Sequence, residues 1–62
     1  MSETLEELLN RFVGLEKTSI FCKSDFVEDT FEIDEIPQHW LDKEVEDWMY
    51  NTFSNLLIVT IE

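Results

Sequence analysis

The side chains of this chain that could do chemistry are carboxylates. Fifteen Asp and Glu residues stand against four Lys and Arg, which gives a formal charge of −11 over 62 residues. A calcium loop needs oxygen ligands at fixed intervals around a Gly turn, and the run from Asp25 to Thr30 contains no Gly. Zinc prefers Cys and His ligands, and the chain offers only Cys22 and His39. We therefore expect no metal and no other cofactor.

Catalysis by these residues is not expected either. Two carboxylates can hydrolyse a glycosidic bond when a cleft holds them at set distances, but a domain this small can hardly build such a cleft. The acidic residues stand in surface-like contexts, which give no reason for unequal pKa values. Nothing in the spacing of Cys22 and His39 supports a nucleophile and base, and there is no Gly-rich phosphate loop. We predict that the chain is not an enzyme.

The charge itself is the most informative property of the sequence. It excludes nucleic acid and anionic membrane as direct partners, and it lowers folding stability because like charges repel in a compact state. Yet 44% of the residues are hydrophobic, which distinguishes the chain from a disordered acidic tail. The sequence indicates a folded protein with a highly charged surface, and imitation of a polyanion is one use for such a surface.

The acidic residues fall into three groups along the chain. Glu3, Glu6 and Glu7 are predicted to cover the outside of the first helix. A second group runs through a predicted hairpin and a third through a predicted second helix: Asp25, Glu28, Asp29, Glu32, Asp34 and Glu35, then Asp42, Glu44, Glu46 and Asp47. Alternate residues on a strand lie about 6.7 Å apart, close to every second phosphate of a DNA strand at about 3.4 Å per nucleotide. Glu28, Glu32 and Asp34 are predicted to share one strand face, and the alternative interpretation is an ordinary solvated face.

Hydrophobic spacing predicts one α+β domain over residues 1–62, in the order α-β-β-α-β. The first helix is indicated by the stripe Leu5, Leu8, Leu9, Phe12 and Val13, with Ser2 or Thr4 as cap and Gly14 as terminator. Strands are expected at Thr18 to Lys23, around Phe31 and Ile33, and at Leu56 to Ile61. Pro37 can start a second helix, with Leu41, Val45, Trp48 and Thr52 on one face. The result would be a three-stranded, mainly antiparallel sheet packed by two helices.

The aromatic residues form a second signal. Trp48 belongs to the predicted core stripe of helix two, whereas Trp40, Tyr50 and Phe53 fall off it and could anchor a partner. In one arrangement the helices cover opposite faces of the sheet and Phe21 is buried. In the alternative, a sheet face or a strand edge is left uncovered and the chain assembles as a homodimer.

Compartment is indicated by what the sequence contains near its start and by its cysteine usage. A lone Cys22 cannot form an internal disulfide, which fits a reducing cytoplasm. The stretch Met1 to Thr4 has neither a basic region nor a hydrophobic stretch, so we expect no signal peptide. The longest apolar run, Leu56 to Val59, is too short to cross a bilayer.

The stretch from Thr18 to Glu62 resembles small phage-encoded β-β-α-β proteins. The resemblance rests on a strand ending in Ile36-Pro37, then Trp40, an acidic helix closing on Trp48 and a short final strand. It covers about three quarters of the chain, and the N-terminal helix departs from that pattern. In size and charge the chain is also similar to phage inhibitors of host defence and host DNA enzymes, which include anti-restriction, anti-CRISPR and uracil-DNA glycosylase inhibitor proteins.

These observations predict an acidic, non-enzymatic inhibitor in the cytoplasm of a phage host. It would bind the basic nucleic-acid-binding surface of a host protein and compete with DNA or RNA. The residues expected to bind the partner are Asp25, Glu28, Asp29, Glu32, Asp34, Glu35, Asp42, Glu46, Asp47, Trp40 and Tyr50. The alternative is a protein-interaction or homodimerising module with an aromatic surface, in which the acidity serves only solubility.

Overall fold

The computed structural model describes residues 3–62, so Met1 and the alternative helix cap at Ser2 lie outside the described range. The elements are α1 (Leu5–Leu9), β1 (Lys17–Cys22), β2 (Val27–Glu32), a 3-10 turn (Ile33–Glu35), α2 (Gln38–Leu41), β3 (Val45–Asn51) and β4 (Leu56–Ile61). The predicted α+β class is confirmed. The three-stranded sheet is wrong, because the described residues form a four-stranded mixed sheet beside two short helices.

The strands lie in the order β2-β1-β4-β3. Two antiparallel hairpins, β1–β2 and β3–β4, form the outer pairs. They join in the middle of the sheet where β1 pairs with β4 in parallel, from Lys17 opposite Leu56 to Cys22 opposite Ile61. This arrangement leaves the acidic strand β2 at one edge and β3 at the other.

The second helix, predicted to start at Pro37 and to continue through Val45 and Trp48 to Thr52, is the main error of the sequence interpretation. Helix α2 ends at Leu41, and Val45–Asn51 is an edge strand. A β-bulge between Val45 and Asp47 inserts one residue, so the two-residue alternation of the strand is broken. Val45 and Trp48, three positions apart, consequently face the same side of the sheet, and this spacing imitates a helical stripe. Val, Trp and Tyr nevertheless all favour strands.

Helix α1 starts as predicted and ends early. The Thr4 hydroxyl accepts from the Glu7 backbone N–H and the Glu7 carboxylate accepts from the Thr4 N–H, which completes the predicted capping box. The helix then stops at Leu9. Gly14 turns the chain toward β1 with φ +81°, five residues beyond the helix rather than at its end. The segment between α1 and Gly14 contains Phe12, whose ring centre lies 5.4 Å from the ring centre of Trp48.

Both helices cover the same side of the sheet. The fully buried residues of β1 and β4 alternate and point at this side, where they meet Leu5 and Leu8 of α1 and Trp40 of α2; the strand residues are Ile20, Cys22, Leu57, Val59 and Ile61. The Thr18 hydroxyl, buried among them, donates to the Leu57 carbonyl at 2.8 Å. The arrangement with one helix on each face is therefore wrong. Among residues 3–62, no helix has the length and apolar character needed to cross a membrane.

Candidate protein-binding surface

None of the residues 3–62 covers the side of the sheet turned away from the helices, and the composition of this side follows from the strand register. One cross-strand row runs Thr30, Ser19, Ile58 and Met49, and the next runs Glu28, Phe21, Thr60 and Asp47. A third row consists of Glu32, Lys17, Leu56 and Asn51. We call the apolar middle of this side, formed by Phe21, Leu56, Ile58 and Met49, the open face.

The open face is apolar in its centre and charged at both borders. Met49 is 58% exposed, and Phe21 and Ile58 are half-buried. Glu28 and Asp47 occupy the outer strands of one row, about 14 Å apart if each of three strand spacings is about 4.8 Å. An apolar centre bordered by charge is the usual layout of a protein-binding site.

The carboxylates are densest along β2 and the turn after it. Glu28 and Glu32 point to the uncovered side, and Asp34 and Glu35 continue the series in the 3-10 turn. We call these four residues the acidic ridge. The predicted three-residue strand face is wrong for Asp34, because β2 ends at Glu32 and the chain bends before that residue.

Interactions within the acidic ridge shift the ionisation of one of its members, Glu35. Oxygens of Glu32, Asp34 and Glu35 approach within 4.8 Å of one another, and all three side chains are exposed. A hydrogen bond with Glu32, followed by the charges of Glu32 and Asp34, raises the pKa of Glu35 above its ordinary value of 4.5. The cluster is thus a concentration of negative charge on the surface, held at an energetic cost that a bound cation or basic side chain would relieve.

Both edge strands carry an Asp whose carboxylate accepts a hydrogen bond from the backbone N–H of the next residue. The Asp29 carboxylate accepts from the Thr30 N–H at 2.8 Å on β2, and the Asp47 carboxylate accepts from the Trp48 N–H at 2.9 Å on β3. Occupied N–H groups and charged side chains both discourage a further strand from pairing with an edge. The uncovered side, rather than either edge, is therefore the surface available to a partner.

Trp40 is not a surface anchor. It is 4% exposed, its ring meets Phe31 edge-on at 5.4 Å, and its indole N–H donates to the Asp25 carboxylate at 3.0 Å. That hydrogen bond is the first cause of the lowered pKa of Asp25, and Lys43 and His39 add to it. The prediction of Trp40 as a partner contact is wrong because α2 turns this residue into the core, and Asp25 fixes its indole.

Tyr50 and Trp48 lie on the helix side of β3. Tyr50 is half-buried, stacks obliquely on Phe12 at 5.7 Å and donates its hydroxyl to the Asn55 side chain. Trp48, predicted as core, is 41% exposed, with the Arg11 guanidinium 5.9 Å from its ring. Tyr50 is consequently occupied by contacts within the fold and does not belong to the open face.

The other predicted acidic residues are distributed around the molecule. Asp29 and Asp47 belong to the two edges, Asp42 follows α2, and the Glu46 carboxylate pairs with the Lys23 ammonium at 2.9 Å. The structure therefore brings together only Glu28, Glu32, Asp34 and Glu35, with Asp47 across the sheet. Sequence reasoning missed Met49 and Ile58, although the apolar run Leu56 to Ile61 signalled a strand with two apolar sides.

Cys22 and His39 take no joint position that resembles a catalytic pair. The buried Cys22 thiol donates to the Glu62 carbonyl at 3.3 Å, whereas His39 lies exposed on α2 with its ring 6.0 Å from that of Trp40. Cys22 is a core residue of β1. The absence of enzymatic activity stays a prediction.

No family model, curated protein sequence or solved structure matches this chain. The function proposed for it therefore rests on its own sequence, charge and surface.

Proposed function

We propose that this chain is a non-enzymatic acidic inhibitor that binds a basic, nucleic-acid-binding surface of another protein and competes there with DNA or RNA. The observation that carries the proposal is the juxtaposition of the acidic ridge with the uncovered apolar side of the same sheet. Carboxylates in the ridge supply attraction to Lys and Arg, and the open face supplies area that leaves water on binding. The same proposal makes the chain a phage-encoded inhibitor that acts in the cytoplasm of the host cell, as the resemblance to phage inhibitors implies.

The charge of the whole chain supports this assignment. Every carboxylate from Glu6 onward is exposed, so nearly all of the net charge of −11 acts on the surroundings. Such a field attracts a basic surface over long range and speeds association, and added salt screens it. Binding of this kind should weaken as ionic strength rises, and duplex DNA should compete for the same partner.

A tagged pull-down from bacterial lysate tests the proposal, carried out at about 50 mM and about 200 mM salt, with and without excess duplex DNA. The expected result is capture of a nucleic-acid-binding protein that both salt and DNA displace. Capture of a partner that resists both would contradict competition with nucleic acid.

Charge variants then locate the binding side. The triple variant Glu28→Gln, Glu32→Gln and Asp34→Asn removes three charges of the acidic ridge. At about 0.5–1 kcal/mol for each ion pair, affinity at low salt should fall roughly ten- to a hundredfold. The control removes three exposed charges outside the ridge and should lose far less: Glu6→Gln, Asp42→Asn and Glu44→Gln. Equal losses in the two variants would show that only total charge matters.

The uncovered apolar side also supports a second candidate, a homodimer formed through the open face. Two copies would bring Glu28 and Asp47 of one chain against the same residues of the other, so carboxylates would face carboxylates and repel one another. Salt separates the candidates because it should strengthen the dimer and weaken the complex with a basic partner. Sedimentation velocity of the purified chain over a salt series measures the difference.

A further inference from the structure

The two hairpins of the sheet turn in the same way but place very different residues at the critical position. Both turns have four residues, 23–26 and 52–55, and in both the last residue is left-handed: Phe26 at φ 54° and Asn55 at φ 52°. Asn tolerates this conformation because its short polar side chain can bond locally. Phe is bulky and has no polar side-chain atom to make such a bond, so Phe26 is the outlier of the pair.

Phe26 does not recover this strain within the fold. Its side chain is 85% exposed, and its aromatic neighbour is Phe21 of the open face, whose ring centre lies 6.1 Å away at 75°. A bulky apolar side chain in a strained conformation and largely in water destabilises the isolated chain twice over. Such a residue is a candidate for function outside the fold, and its contact with Phe21 shows which surface it serves.

The position of Phe26 extends the open face at one end. The turn places it directly before β2, between Asp25 and the ridge residue Glu28, while the neighbouring Lys23 is already paired with Glu46. Phe26 contacts Phe21, whose cross-strand neighbour is the ridge residue Glu28. An exposed aromatic ring on this acidic border matches an apolar site that is bordered by Lys or Arg. A second copy of this chain does not fit, because its own open face is bordered by the acidic residues Glu28 and Asp47 instead of by Lys or Arg.

Resting on the proposed function, we infer that Phe26 is the anchor of the open face and inserts into an apolar patch bordered by basic side chains on the partner protein. Phe21 supports the ring from the side. The left-handed backbone at Phe26 then serves to hold the ring outward. With ordinary backbone geometry at this position the turn would take a different course.

The test is the variant Phe26→Asn, which copies the residue of the other turn. Because Asn relieves the strain and little packing is lost, the melting temperature should rise by about 4 °C or more. Binding should move in the opposite direction. The probe is an amphipathic helical peptide of Leu and Lys, compared with a peptide in which Gln replaces every Leu, and the readout is amide chemical shifts in NMR spectra of the labelled chain.

The Leu/Lys peptide should shift the amides of Phe21, Phe26 and Ile58, and Phe26→Asn should weaken its binding about tenfold or more. The matched control is Phe53→Ser in the other turn, where the side chain is fully exposed and φ is not positive; it should change neither quantity. Unchanged binding by Phe26→Asn, a lowered melting temperature, or equal binding of the Gln/Lys peptide would each overturn the inference.

Two further outcomes are distinguishable. If the wild-type chain self-associates more strongly with added salt and Phe26→Asn abolishes this, the open face belongs to a second copy and the inference fails. If the peptide binds as expected but the pull-down yields no partner that DNA displaces, the anchor stands and competition with nucleic acid fails.

Discussion

Replacing the two tryptophans separately tests the fold at the point where sequence and structure disagree most. Trp40→Ala removes a side chain that is 4% exposed and packed against Phe31, whereas Trp48→Ala removes one that is 41% exposed. Truncation of a buried Trp to Ala destabilises proteins by about 3–5 kcal/mol, so we expect about 4 kcal/mol for Trp40. Scaling by the buried fraction gives about 2 kcal/mol for Trp48.

Urea titration followed by far-UV circular dichroism measures both losses with the same probe. For a domain of this size the dependence on urea is about 1 kcal/mol per molar, so the two midpoints should differ by about 2 M. A chain of 62 residues has roughly 3–9 kcal/mol of total stability at typical values per residue, and Trp40→Ala can therefore be unfolded before urea is added.

In that event Trp40→Phe and Trp48→Phe make the same comparison with milder changes. Trp40→Phe loses the indole donor to Asp25 and part of the buried ring, and it should still be the more destabilised of the two. A larger loss at position 48 would refute the edge strand and restore the helix in which Trp48 faces the core.

Three further perturbations follow from local geometry. Thr18→Val removes the buried hydroxyl that donates to Leu57, and it should lower the free energy of unfolding by about 1 kcal/mol in urea titration; no loss would mean that the hydroxyl is dispensable. Gly14→Ala should cost about 1 kcal/mol by the same measurement because φ is +81° there, although nothing crowds a Cβ; an unchanged midpoint would contradict the strain. Glu32 raises the pKa of Glu35 in the folded chain above the ordinary value of 4.5. Protonated Glu35 therefore stabilises the fold at pH values below 4.5, and this stabilisation is lost as the pH rises through the pKa of the folded chain. Glu35→Gln should therefore melt above the wild type at neutral pH, with the gap closing in acid, and a gap independent of pH would refute the repulsion.

The sequence predicted those elements whose signals are local. The capping box at Thr4 and Glu7 and the apolar run from Leu56 to Ile61 each specify an element without reference to the rest of the chain. The strand β3 could not be recognised in this way, because its bulge at Val45 and Asp47 breaks the alternation that identifies a strand.

The location of the open face depends on tertiary structure that periodicity does not contain. Six consecutive apolar or β-branched residues in β4 indicate that both sides of the strand are apolar, but not which side the helices cover. Both helices are only about one turn long, and each docks on the side where Leu57 and Val59 lie. The same uncertainty exchanged the roles of Trp40 and Trp48.

The parallel pairing of β1 with β4 has a consequence for how the chain folds. Each contact in this central ladder joins positions separated by 39 residues, as between Thr18 and Leu57, which is more than half of the 62-residue chain. The two hairpins can form locally, yet an isolated two-stranded hairpin is marginal in water. Their union must close a long loop before the core exists, so folding should be slow for a domain of this length and cooperative between its two halves.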